Sequence, residues 1–270
     1  MKTKPLISWP GGKTRLLKHL LPHISPDRGY IEVFAGGCAL LLAKARSKIE
    51  VANDLNGDII NLFRVANYHP DELIREMRRL PSSRQLLAQS VALLRTDALT
   101  DVQRAARFLY SNKASFAGTG TSLAIARAPE SSAFLGIEAI IERIVAFSAR
   151  FDRVIIENLD YRRCLRLYDH PGNTFFLDPP YLDSKASNYR GWTTDEMAEF
   201  HDNVIALQGQ WIVTVDDSEY NRTLWKGHDI QFLTTANGAT NKAKDPGKRF
   251  GEMIIYGPGV RPAVDQKQAA

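Results

Sequence analysis

A chain of 270 residues, 44% of them hydrophobic, is long enough to bury a substantial core in one or two domains, which argues against a disordered or fibrous protein. Its formal charge of +5 fits a polyanionic partner, though weakly, because many basic proteins bind small or acidic partners. Two cysteines without a C-x-x-C, six histidines without metal spacing, no apolar leader after Met1 and no long apolar run predict a cytoplasmic protein with no disulfide, no metal and no membrane span.

The first motif is Ser8-Trp9-Pro10-Gly11-Gly12-Lys13-Thr14. A phosphate-binding loop of the form G-x-x-x-x-G-K-[ST] would need glycine where Ile7 stands. Pro10 also removes an N–H from a loop whose task would be to present N–H groups. A nucleoside-triphosphate cradle is therefore disfavoured, and the turn needs another explanation.

A helix is predicted over 14–21, ended by Pro22, and a strand over 30–34 stops at Ala35-Gly36-Gly37. Helix 39–46, strand 48–52 ending at Asn53-Asp54, and helix 57–67 follow. This strand–helix alternation predicts a parallel sheet with crossover helices. The glycine turn lets backbone approach a ligand closely, but it is not G-x-G-x-x-G, so no dinucleotide is indicated. Glu32, inside the first strand, needs a partner such as a ligand amine or Lys13. Asp54 lies 18 residues past Gly36 and suits ribose hydroxyls; the plain alternative is a helix N-cap in NDLNGDII.

Residues 70–110 read as helical with a break at 81–83, residues 111–133 are small and low in charge, and helix resumes over 137–150. Strands are predicted at 153–157, 174–177, 211–215, 230–234 and 252–256. The chain divides into an α/β catalytic domain (1–69 and 151–260), a mainly helical insertion (70–150) and a tail (261–270).

The most informative segment is Thr174-Phe175-Phe176-Leu177-Asp178-Pro179-Pro180-Tyr181. A buried-strand run ends in two prolines that cannot continue a central strand, so the backbone must turn out where open α/β sheets place ligands. Asp178 and the carbonyl of Pro179 are acceptors held without a competing donor, and Tyr181 offers a flat ring. Two acceptors and a stacking face suit an exocyclic –NH₂ on a planar heterocycle. Accepting both N–H bonds frees the amine lone pair for an electrophile in line with it.

In this order, Trp9-Pro10-Gly11-Gly12-Lys13, Phe34-Ala35-Gly36-Gly37, Asn53-Asp54 and Asp178-Pro179-Pro180-Tyr181 resemble the Dam-type family of DNA adenine N6-methyltransferases. LYSNKASFAG (109–118), VDDSEYNRTLW (215–225) and ANGATNKAKDPGKRFGEMIIY (236–256) extend the resemblance to roughly residues 5–257. It implies a Rossmann-like S-adenosylmethionine (AdoMet)-dependent methyltransferase fold with an inserted helical recognition subdomain. The implied substrate is double-stranded DNA, and the implied reaction is methyl transfer from AdoMet to a flipped-out adenine by an enzyme acting as a monomer. Implied cofactor contacts are Trp9, Pro10, Gly11, Gly12, Lys13, Glu32, Phe34, Ala35, Gly36, Asp54 and Asp178, with Asp160 beside the cofactor adenine. Catalysis falls to Asp178, Pro179, Pro180 and Tyr181. DNA contacts are expected from Lys113, Ser115 and Thr119, and from Lys242, Lys244, Lys248 and Arg249 in a basic loop. Two further basic clusters, Arg75, Arg78, Arg79 and Arg84, and Arg162, Arg163 and Arg166, are weaker candidates.

The sequence departs from the family at Phe116-Ala117-Gly118, where F-N-G is usual, and at Thr119-Gly120-Thr121-Ser122, where an arginine-bearing continuation is usual. Familiar GATC specificity is therefore not implied. N4-cytosine methylation is the nearest rival, since it presents a similar amine, and a non-catalytic DNA-binding protein retaining the fold is a rival of another class.

Overall fold

The computed structural model describes residues 3–115, 136–182, 190–236 and 249–260. Seven strands, β1 (Gly29–Glu32), β2 (Glu50–Asn53), β3 (Val154–Glu157), β4 (Asn173–Leu177), β5 (Gln210–Asp216), β6 (Asp229–Ala236) and β7 (Arg249–Tyr256), form one sheet. Their order is β3-β2-β1-β4-β5-β7-β6. β2, β1, β4 and β5 are parallel, with Ile31 opposite both Val51 and Phe175, and Phe175 opposite Trp211. β7 is antiparallel to both β5 and β6. The sheet is thus mixed: its parallel part matches the predicted alternation, and its far edge is a hairpin-type pair.

Among the described residues the helices are α1 (Leu17–Leu20), α2 (Ala39–Ala43), α3 (Gly57–Tyr68), α4 (Pro70–Met77), α5 (Arg84–Leu93), α6 (Asp101–Ala114), α7 (Ile137–Phe151), α8 (Tyr161–Tyr168), α9 (Thr194–Ile205) and α10 (Glu219–Leu224). The helix expected over 14–21 is instead a 3₁₀ turn at Lys13–Arg15, then α1, then a second 3₁₀ turn at Leu21–His23. Pro22 does not end it, because it sits in the first turn of that second element, where its missing N–H has no intrahelical partner to lose. The helix expected over 39–46 stops at Ala43, and Lys44 turns aside to bond Ser47 and Glu50. Residues 70–110 contain two breaks rather than one, giving α4, α5 and α6. Helices α8, α9 and α10 were not predicted.

Contacts divide the chain into two compact units: Met1–Arg15, Ala35–Ala43 and Asp54–Asn158 make one, and Leu16–Phe34, Lys44–Asn53 and Leu159–Ala270 the other. In the first, α3, α4, α6 and α7 pack together, and Phe63 of α3 meets Phe147 and Phe151 of α7, the last two stacked with ring centroids 3.9 Å apart. In the second, the inward residues of the central strands (Ile31, Val33, Phe175, Leu177, Val213, Val215, Met253 and Ile255) bury against Phe200, Trp211 and Trp225. Every residue of β2 and β4 is buried, as expected for strands covered on both faces.

Strand order reverses between β1 and β4. Neighbouring parallel strands whose connections leave in opposite directions open a crevice at their carboxyl ends, where open α/β sheets bind ligands. The chain leaves β1 into Val33-Phe34 and β4 into Asp178-Pro179-Pro180-Tyr181 at that place.

Candidate active site

The opening motif is a tight turn. Gly12 donates its N–H to the Trp9 carbonyl at 3.0 Å, with Gly11 at φ +77°. Proline second and a positive-φ glycine third is the signature of a type II turn, which explains Trp9-Pro10-Gly11-Gly12 without any phosphate. Lys13 is 5% exposed, and its Nζ donates to the Gly11 carbonyl at 2.7 Å. The Trp9 ring lies against Gly36, which has φ +48°; a Cβ there would stand 2.8 Å from Trp9 Cδ1. Glycine is required here twice over, by conformation and by space.

Asp54 follows β2, and its carboxylate takes the N–H of Gly36 at 2.8 Å and that of Asn56 at 2.8 Å. Burial pushes its carboxyl above the usual range, opposed by these two amide hydrogen bonds. It is not the helix cap: Asn56 caps α3, accepting from Asp58 and Ile59. Asp54 thus ties the glycine turn to the loop after β2, with each oxygen retaining a second lone pair. Leu55, beside it, is 71% exposed. Asn158 donates to the carbonyls of Asp54 and Leu55. Asp54 is thus an acceptor carboxylate beside a glycine turn, with an exposed apolar side chain next to it.

The same unit holds the segment before the expected recognition region. Asn112 on α6 grips the Ser8 backbone, accepting its N–H and donating to its carbonyl, both at 2.8 Å. Phe108, on the same helix, meets the Trp9 ring at 6.4 Å. Lys113 is half-buried, and burial, then the neighbouring Arg143, brings its ammonium down to about 8. Ser115 is buried at the end of α6.

In the other unit, buried Glu32 accepts from the Tyr30 hydroxyl at 2.8 Å, which supplies a partner the sequence reading had sought elsewhere. Asn53 joins two strand ends: it donates to the carbonyls of Val33 and Leu159 and accepts the N–H of Leu159. Phe34 packs into an aromatic cluster with Tyr161, Trp192 and Phe200. Asp160 caps α8 through the N–H of Arg162. Arg162 is itself held by Glu199 at 2.5 and 2.6 Å and lies over the Tyr161 ring, so that basic cluster is partly spent on a local ion pair.

Asp178 stands just past β4, and its Oδ1 accepts the hydroxyl of fully buried Thr214 on β5 at 2.9 Å. Pro179 is buried; Asp178, Pro180 and Tyr181 are half-buried. The Tyr181 hydroxyl donates to Glu252 on β7 at 2.6 Å. Asp216, at the end of β5, accepts the backbone N–H of Leu182 and is pushed up chiefly by burial. Carboxyl groups from two neighbouring strands thus hold the exit of the Asp-Pro-Pro-Tyr loop.

The sequence assigns no individual role to Asn53, Asn112, Thr214 or Glu252. Three left a signal there, a polar residue inside or at the rim of an apolar strand: Asn53 after Glu50-Val51-Ala52, Thr214 within Trp211-Ile212-Val213-Thr214-Val215, and Glu252 before Met253-Ile254-Ile255. Thr119, Lys242, Lys244 and Lys248 lie outside the described residues, and Arg249 opens β7. Among the described residues no His/Cys/Asp/Glu group could hold a metal ion, and no helix is long and apolar enough to cross a membrane. Cys38 and Cys164 are buried, and neither is in a disulfide.

A mixed α/β sheet with an acceptor-bearing Asp-Pro-Pro-Tyr loop at its switch point is consistent with a methyltransferase fold. Residues 9–234 match the D12 class N6 adenine-specific DNA methyltransferases, and the chain belongs to that family. It is an enzyme that methylates adenine at N6 in DNA. Similar proteins include the DNA adenine methylase of Salmonella typhimurium strain LT2, 28% identical over 96% of this chain and 97% of its own. The type II methyltransferase M1.LlaDCHI of Lactococcus lactis subsp. cremoris is 23% identical over 95% and 96%, and the type II methyltransferase M.CviBI of Paramecium bursaria Chlorella virus NC1A is 24% identical over 83% and 87%.

Proposed function

We propose that the chain takes its methyl group from AdoMet and delivers it to an adenine turned out of the DNA stack, at a defined sequence. AdoMet supplies an electrophilic methyl on a sulfonium. Trp9, Pro10, Gly11, Gly12, Lys13, Glu32, Phe34, Ala35, Gly36, Asp54 and Asp160 form the set that holds it. Asp54 is suited to the ribose hydroxyls, because its two oxygens are fixed by backbone amides and still have acceptor capacity.

The observation that carries this reading is Asp178, set past the carboxyl end of β4 with one oxygen fixed by Thr214. Asp178 and the Pro179 carbonyl accept the two N6–H bonds of adenine, which opposes delocalisation of the nitrogen lone pair into the ring. Tyr181 stacks on the turned-out base and offsets part of the few kcal/mol that unstacking costs. The helices between residues 70 and 151, with Lys113, Ser115 and Thr119, serve DNA recognition, and Lys242, Lys244, Lys248 and Arg249 add backbone contacts. The enzyme acts as a monomer in the cytoplasm.

The test is methyl transfer from labelled AdoMet to unmethylated genomic DNA, with nucleosides identified by mass spectrometry. N6-methyladenine is expected, and Asp178→Ala should abolish it while leaving the thermal melt intact. Near-normal turnover by Asp178→Ala would refute the role given to that carboxylate.

A further inference from the structure

We propose that Glu252 is a positioning residue for the reaction: its carboxylate, clamped to the Tyr181 hydroxyl, fixes the ring against which the target base is placed. The proposal rests on the reading of Tyr181 as the base-stacking residue.

Glu252 lies near the start of β7, 8% exposed, and receives the Tyr181 hydroxyl at 2.6 Å. Tyr181 follows two prolines in a loop, and among the described residues its backbone is tied at its carbonyl, which accepts the N–H of Trp192 at 3.2 Å beside an isolated bridge between Leu182 and Trp192. A tyrosine in such a loop can swing about χ1, and a hydrogen bond at the far end of the ring removes that freedom. Bonds to a charged acceptor are about twice as strong as neutral ones, which suits a tether. β7 is a rigid anchor, paired to β5 on one side and β6 on the other, with Glu252 directly opposite both Asp216 and Leu233. Asp216, its partner on β5, fixes the next residue of the same loop by accepting the N–H of Leu182. Two facing carboxyl groups therefore hold consecutive residues of the loop, one by side chain and one by backbone.

This arrangement assigns Glu252 to the chemical step. A ring fixed in one plane places the base in near-attack geometry, whereas affinity for DNA comes mainly from phosphate contacts. Loss of the clamp should lower kcat and leave the KM for DNA almost unchanged.

The experiment compares Tyr181→Phe, Glu252→Ala, the double variant and Glu252→Gln in steady-state methylation, with Tyr181→Ala as the control. Tyr181→Phe and Glu252→Ala are each expected to lower kcat about tenfold, and the double variant to do no worse than either single, since both remove one interaction. Glu252→Gln, whose amide oxygen still accepts, should fall between wild type and Glu252→Ala. Fluorescence of 2-aminopurine at the target position should show weaker ring–base contact in Tyr181→Phe. Wild-type kcat in Tyr181→Phe, or additive losses in the double variant, would overturn the proposal; because Tyr181→Phe changes no packing volume, it decides even if Glu252→Ala fails to fold. Full activity in Tyr181→Ala would instead overturn the stacking role of Tyr181, a separate outcome from a silent Tyr181→Phe beside an inactive Tyr181→Ala.

Discussion

The side chain of Asn112 holds both backbone polar groups of Ser8, at 2.8 Å each, across 104 residues of chain. The last turn of α6 thereby fixes the start of the Trp9–Lys13 turn, and Phe108 one turn earlier backs the Trp9 ring. Asn112→Ala removes two hydrogen bonds and should cost roughly 2 kcal/mol of stability. AdoMet affinity, measured by calorimetry, should fall with it. A lowered melting temperature with unchanged AdoMet affinity would separate this turn from cofactor binding.

Gly36→Ala tests the contact between the two glycine-bearing segments. The substitution forces a side chain into φ +48° and drives Cβ to within 2.8 Å of Trp9 Cδ1. The conformation alone costs roughly 1–2 kcal/mol, and moving the indole adds to it. Thermal denaturation should show the loss, and Trp9 fluorescence should shift as the ring is displaced. A variant as stable as wild type would show that the turn relaxes freely.

Thr214→Val removes the hydroxyl that donates to Asp178 and keeps the shape of the β5 side chain. Turnover should fall about tenfold with the melt near that of wild type, because an orienting hydrogen bond is lost beside the reacting amine. Thr214→Ser should retain most of the rate. Equal rates for Thr214→Val and wild type would mean that Asp178 is oriented by other contacts.

Lys113 makes a prediction about pH. Burial, aided by Arg143, holds its ammonium down at about 8, below the ordinary lysine range. Below that pH the side chain is charged in both folded and unfolded chains, and its burial opposes folding. Between about 8 and the unfolded value near 10.4 the folded chain releases a proton that the unfolded chain keeps, so this group makes stability rise with pH. Lys113→Met should remove that rise from the difference between melting curves taken from pH 7 to 10. Parallel curves for the two proteins would show an ordinary lysine.

Much of the fold was legible because its signals are local. Strand β4 is a run of apolar residues ended by two prolines, and no neighbouring segment can turn that into a helix. The alternation from β1 to α3 was likewise carried by periodicity and by Gly36 and Asn53. Helices α8, α9 and α10 were missed although each carries a cap, Asp160, Thr193 with Glu196, and Ser218. The Thr193–Glu196 capping box is a local signal written in the sequence, whereas Asp160 and Ser218 are single caps that a turn would also carry.

The sequence by itself determined the reactive groups: an acid, two fixed carbonyls and a ring at Asp178-Pro179-Pro180-Tyr181, and a turn at Trp9-Pro10-Gly11-Gly12 that a missing glycine disqualifies as a phosphate loop. Residue type and short-range spacing dictate such features, because proline and glycine act on their own backbone. Only the tertiary structure decided what holds those groups in place. Thr214 meets Asp178 across 36 residues, and Glu252 meets Tyr181 across 71. Those partners lie on strands whose register is set by the whole sheet, and no local pattern encodes which residue of β5 or β7 comes to stand beside the loop after β4.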